Sequence, residues 1–190
     1  MNTTLFLQKQ LSNIHSVYQD IVGDLNEQEW TSRFMPGQNL PGYTAWHLPR
    51  TQDNFIQTWI RGIPEVAHAE RWNHWQGLKQ FGIGAGITVE KADEIAHTVQ
   101  RSDVLAYAAD VHQAIIAWLK ELDETGLDQI PEAVRHLSPY PEYQTQGYHA
   151  DTDSLLNQPA WALLIRPCIG HVHRHLGELQ AIKSILRKNN

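Results

Sequence analysis

The sequence predicts an all-α chain in which four long helices pack as a bundle. Two observations carry that reading. Apolar residues recur at steps of three and four along four separate stretches, the pattern of helices with one buried face. No stretch shows the convincing apolar–polar alternation of a half-buried strand. The bulk numbers agree: 190 residues, 42% hydrophobic and 19% charged, suit a single domain spanning 1–190 with a substantial core.

The first helix is expected over 4–25, where Leu11, Ile14, Tyr18, Ile21, Val22 and Leu25 share a face. Asn26 and Glu29 have the spacing of a capping box for a short turn. Pro36, Gly37, Pro41 and Gly42 mark a loop. A second helix follows over about 43–61 and stops at Gly62 and Pro64. Pro49 lies inside it, has no N–H to donate, and predicts a kink or a local widening near Ala45.

Residues 62–101 read as irregular apart from a short helix at about 89–98 capped by Thr88. FGIGAGIT at 81–88 is glycine-rich, but no strand precedes it and the spacing is not that of a dinucleotide loop. The third long helix is expected over 103–124, capped by Ser102 and ended by Gly126. A long loop over 127–157 follows, read as a wall over a site at one end of the bundle. The last helix is expected over 159–187, with Asn157 as cap and Pro159 in the first turn. Its inward stripe is Leu164, Cys168, His171, His175, Leu179, Ile182 and Leu186.

Composition excludes several function classes. The formal net charge is -6 and no basic run is present, so nucleic acid is not an expected partner. No apolar run reaches the ~18 residues that cross a bilayer, and the N-terminus lacks the pattern of a secretory signal. Cys168 is the single cysteine, which fits a reducing, cytoplasmic setting.

Eleven histidines are present, and position decides which of them carry chemistry. His171 and His175 lie four apart on the inward stripe, where two imidazoles on adjacent turns can grip one ion. They equally fit core histidines bonded to polar neighbours. His173 is rotated by about 200° from His171 and should point away. His47, beside the irregularity at Pro49, is a third candidate from a facing helix.

These segments resemble a known family. GQNLPGYTAWHLPRTQDNF at 37–55 is similar to the second-helix segment of the DinB-like (YfiT-like) metal-binding four-helix bundles. HVHRHLGELQAI at 171–182 is similar to the H-x-x-x-H-x-G-[EQ] segment on that family's last helix, and ERWNHWQGLKQFGIGAGITVEKADEI to the middle of one branch. The resemblance implies a metal triad of His47, His171 and His175. Gly177 and Glu178 match the family's tail, with Gly177 expected to allow close helix packing; Pro49 and Pro167 depart from its helices.

Three neutral imidazoles leave positions open, the arrangement of a catalytic ion, with zinc and nickel both suited. Cys168, one turn before His171, is a weaker fourth ligand. Asp53 and Glu178 are candidates to orient a ligand imidazole. Trp72, Trp75, Tyr140, Tyr143 and Tyr148 either line a pocket or pack the connections onto the bundle. By resemblance the leading function is activation of a low-molecular-weight thiol such as mycothiol, bacillithiol or glutathione, for S-transfer to a small-molecule substrate or for isomerisation. The alternatives are a metal-dependent hydrolase and a non-catalytic metal-binding stress-response protein. The resemblance also implies a homodimer.

Overall fold

The structure is a computed structural model and describes residues 2–188. Four long helical segments form its frame. Helix α1 (Thr3–Gly23) is capped by Asn2, whose side chain accepts from the Leu5 N–H at 2.7 Å. Its buried stripe, Leu7, Leu11, Ile14, Tyr18 and Val22, steps by four, three, four and four. Burying each aliphatic side chain of such a stripe contributes about 1.5–3 kcal/mol. The capping box of Asn26 and Glu29 is present and opens the one-turn helix α2 (Glu27–Trp30).

Helix α3 (Pro41–Asp53) begins on a proline, where a missing N–H costs nothing, and continues as a wider π-type stretch over Asn54–Ile60. After α4 (Val89–Thr98), with Thr88 as its cap, α5 (Arg101–Glu121) forms the third long helix. The fourth is interrupted. Helix α8 (Ala160–Ile165) passes through one π turn, Arg166–Gly170, into α9 (His171–Lys188). The principal contacts run α1 to α5, α5 to α3, α3 to α9 and α9 to α1, which closes a square around the core. The all-α reading therefore holds, and no strand occurs among the described residues.

The two internal prolines explain the local departures. Pro49 cannot donate to Ala45, whose buried carbonyl would be left unpaired. The Tyr18 hydroxyl crosses from α1 and donates to it at 2.8 Å. Tyr18→Phe should therefore cost about 1–3 kcal/mol. In a Pro49→Ala background the restored helical N–H supplies a donor, so the same change should cost less. Denaturant unfolding of this four-protein cycle checks it; equal costs in both backgrounds would show that the hydroxyl does not serve the proline gap.

Pro167 lies at the start of the π turn in the fourth segment. The extra residue there rotates the first turns of α9, so that Val172 and Leu176 replace His171 and His175 on the buried stripe, which Leu179 and Ile182 rejoin. The buried series reads Leu164, Cys168, Val172, Leu176, Leu179 and Ile182, not the expected series through His171 and His175. Leu186 is only half-buried. The two histidines flank the stripe instead of lying in its centre, and this is what opens them to a cleft.

The connections are more ordered than the sequence suggested. Glu70–Phe81 winds as a 3₁₀ helix, and Trp72, Trp75 and Leu78 are its buried residues. Three residues per turn place every third side chain on one edge, which is the spacing those residues have. The expected loop over 127–157 holds the short helices α6 (Ala133–Leu137) and α7 (Gln146–Thr152). Asn157 does not cap the last helix; it takes a left-handed φ of 64°, and Pro159 holds the cap position. Nor does Ser102 cap the third; Gln100 stands there. Among the described residues, no helix is long and apolar enough to cross a membrane.

Candidate metal centre

The π turn of the fourth segment and helix α3 bring three imidazoles together. His47 on α3 and His171 and His175 on α9 each offer a ring nitrogen, all within 4.8 Å of one another. His171 Nε2 lies 3.4 Å from His47 Nε2 and 3.1 Å from His175 Nε2. His173, on the same helix, is exposed and stands apart from this group. The Cys168 sulfur is not among these converging atoms, and the residue is fully buried.

The proton positions follow from the partners. His47 Nδ1 faces the Ile83 carbonyl at 2.5 Å, and a carbonyl only accepts, so Nδ1 carries the proton. His175 Nδ1 faces the Glu178 carboxylate, so it too is protonated. Both Nε2 atoms are therefore bare lone pairs aimed at His171. A single N–H on His171 Nε2 can serve only one of them; for His175 Nε2 the Arg174 guanidinium is a second donor at 3.1 Å. In that tautomer the buried Nδ1 of His171 has no protein partner. A cation satisfies all three lone pairs at once. A tetrahedral ion with nitrogen bonds of about 2.0–2.1 Å separates its ligands by about 3.3–3.4 Å. The 3.4 Å spacing from His47 meets that requirement, and the 3.1 Å spacing from His175 falls about 0.2–0.3 Å short of it.

The charge state suits the same role. Burial lowers the His47 pKa to about 4 and that of His171 to about 3, neighbouring imidazoles adding to the shift at His171. Both are neutral at pH 7. The Arg174 guanidinium, which donates to His175 Nε2, has to swing aside for an ion to take that lone pair. Burial pushes the Cys168 thiol far up, which leaves it protonated and inert.

The trio lies in the wall of a cleft of about 810 Å³. Phe55, Ile83, Ile87 and Leu155 supply apolar lining, while Arg166, Arg174 and Asp151 supply charge. None of Trp72, Trp75, Tyr140, Tyr143 and Tyr148 lines it. Trp72 and Trp75 pack edge-on to Tyr107 at 5.3 and 5.1 Å, and Tyr143 and Tyr148 pack on each other at 4.9 Å. These aromatics fasten the connections to the bundle.

Of the two carboxylates expected to orient ligands, Glu178 meets His175. Asp53 lies elsewhere. It is fully buried and accepts from the Val66 and Ala67 N–H groups at 2.9 and 3.0 Å and from the Tyr107 hydroxyl at 2.5 Å. The group that orients His47 is instead the backbone of Ile83, in the glycine-rich loop. The six-residue step from His47 to Asp53 is the reason: it turns the Asp53 side chain about 120° away from the cleft-facing side of α3. Gly177 has nothing near it and makes no close helix contact.

Among curated proteins, none matches the chain significantly. A family model does: the DinB superfamily model matches residues 10–179, a span that includes all three histidines and the loop that orients the first of them. The chain belongs to the DinB superfamily.

Proposed function

We propose that this protein is a metal-dependent enzyme in which His47, His171 and His175 hold one divalent ion, zinc or nickel, and an external low-molecular-weight thiol is the cosubstrate for S-transfer or isomerisation. The observation that carries the reading is the convergence of three Nε2 lone pairs in the wall of an open cleft. An ion held by neutral imidazoles with positions left open supplies a deprotonated thiol or water at neutral pH.

The chain's own residues do the rest. Ile83 and Glu178 fix the ring orientations of His47 and His175 and keep their Nε2 atoms unprotonated. The apolar lining of Phe55, Ile87 and Leu155 excludes water from one side of the cleft, and Arg166 and Arg174 offer charge-assisted hydrogen bonds to an anionic group on the other. An external thiol is favoured over the protein's own because Cys168 is 0% exposed and its thiol is held protonated.

The test is a screen of mycothiol, bacillithiol, glutathione and cysteine against generic electrophiles and esters, with metal-loaded and metal-stripped protein. Metal-dependent thioether formation with one of the thiols is the expected result. Ester cleavage without thiol would assign a hydrolase instead. Absence of any metal-dependent turnover across the panel would place the protein among the non-catalytic metal binders.

A further inference from the structure

Three consecutive backbone carbonyls of the glycine-rich loop are held by three side chains of one helix face. The Tyr43 hydroxyl donates to Gly84 O at 2.7 Å, His47 Nδ1–H to Ile83 O at 2.5 Å, and the Arg50 guanidinium to Gly82 O at 3.2 and 3.3 Å. Positions 43, 47 and 50 step by four and three, so all three side chains project from the same side of α3. The loop is laid along that side like a rail, and His47 is the middle attachment.

The rail is built at some cost. Arg50 is 3% exposed and sits among Asp53, Glu65, Tyr107 and Tyr143. Burying such a charge group stabilises a fold no better than packed apolar residues do, so its energy does not explain its presence. Its geometry does: the surrounding acceptors fix the guanidinium so that Nε and Nη2 both point at one backbone oxygen. The loop is shaped to accept this approach. Gly82, Gly84 and Gly86 have φ of 55°, 85° and 66°, and a Cβ on Gly84 would meet the Tyr43 hydroxyl at 2.5 Å. Gly86 in turn lies backbone to backbone with Gly147 of α7.

We infer that Tyr43 and Arg50 are positioning residues of the three-histidine centre: they clamp Gly84 and Gly82 so that the Ile83 carbonyl between them fixes the ring and tautomer of His47. The inference rests on the reading of the trio as a metal site, and neither Tyr43 nor Arg50 belongs to that trio. A ring freed from Ile83 can place its proton on either nitrogen, and only the Nδ1–H form presents Nε2 to the cluster.

The test uses the full chain and Co(II) alone as probe. Its affinity and its visible absorption are measured for wild type, Tyr43→Phe, Arg50→Lys and Gly84→Ala. Leu11→Ala, a core truncation on α1, serves as the stability control. In the metal-free proteins the exchange-protected His47 Nδ1–H resonance is recorded in parallel. Each clamp variant should lose roughly tenfold or more in Co(II) affinity, the size of effect that groups orienting a ligand have. Each should also lose the protected resonance, while Leu11→Ala keeps both. Tyr43→Phe keeps the ring stacked on His47 at 5.8 Å, so it tests the clamp even if Arg50→Lys does not fold. Wild-type affinity and an intact resonance in Tyr43→Phe and Gly84→Ala would overturn the inference. So would affinity losses that merely follow the melting temperature, Leu11→Ala included. If the wild type binds no Co(II), the metal reading fails, and a His47 resonance unaffected by the variants would then sink the clamp as well.

Discussion

His47→Ala, His171→Ala and His175→Ala should each strip the protein of stoichiometric metal, while His173→Ala and Cys168→Ala retain it. Among the described residues, the ring nitrogens that converge belong to the first three of these. Removing one leaves two imidazoles for an ion that needs at least three protein ligands in an open site, which costs orders of magnitude in affinity. His173 is exposed on the far side of α9, and the Cys168 sulfur is buried outside the cluster. None of the three substitutions should unfold the chain. Each of these histidines is only half-buried at the cleft, and the apolar stripe of α9 runs through Val172, Leu176 and Leu179 beside them. Helicity should be unchanged. The wild type should gain stability from added metal, about 2.7 kcal/mol at a hundredfold excess over Kd, and the three variants should gain none. Metal analysis and thermal unfolding with and without Zn(II) read both quantities. Full metal content after His171→Ala, or its loss after His173→Ala, would refute the assignment of the trio.

The pair on α9 is visible in the sequence for one reason. Steps of four residues survive any helix, so His171 and His175 were certain to share a face wherever α9 pointed. The direction of that face was not legible. The π turn at Arg166–Gly170 rotates the first turns of α9, and periodicity counted straight through it places the histidines in the core. Pro167 was the visible signal, because a proline inside a helix removes the N–H that keeps the ladder in register. At Pro49 the missing N–H points to a gap at Ala45, but Tyr18, which fills it, approaches from another helix and leaves no local sign in the sequence.

The group that orients His47 was hidden for a different reason. Asp53 is a carboxylate on the same helix and was an expected partner, but a backbone carbonyl has no side-chain signature. Ile83 could be suspected only through the glycines on either side of it. Trp72, Trp75 and Leu78 show the converse case, a three-residue step legible in the sequence that reads as irregular when only the 3.6-residue period is considered.

Arg50→Met should destabilise the fold by about 3–5 kcal/mol near neutral pH, because it leaves a buried charge group without its cation. Arg50 faces Asp53 at 3.4 Å and Glu65 at 2.6 Å, and both carboxylates are buried with 0% exposure of their side chains. Burial pushes the Asp53 pKa up and the neighbouring Glu65 pushes it further, while Arg50, the Tyr107 hydroxyl and the Val66 N–H pull it back. Deleting the guanidinium removes the largest of the restraining influences. The sign of the pH effect follows. A carboxyl whose pKa is higher folded than unfolded binds more protons in the native state, so stability rises as pH falls from the folded pKa toward the unfolded value of about 3.9. The cost of Arg50→Met should therefore be largest at pH 8 and shrink as pH is lowered toward 5. Adding Asp53→Asn should recover part of the loss at pH 8, since one buried carboxylate then remains where there were two. Denaturant unfolding of wild type, Arg50→Met and Arg50→Met/Asp53→Asn at pH 5.5 and 8 measures these differences. A cost that is the same at both pH values would mean that the guanidinium acts through its hydrogen bonds to Gly82, Tyr107 and Tyr143 and not through its charge. The double variant separates the two roles of this residue. Its partly restored stability should come without restored metal affinity, because neither substitution returns a donor to the Gly82 carbonyl.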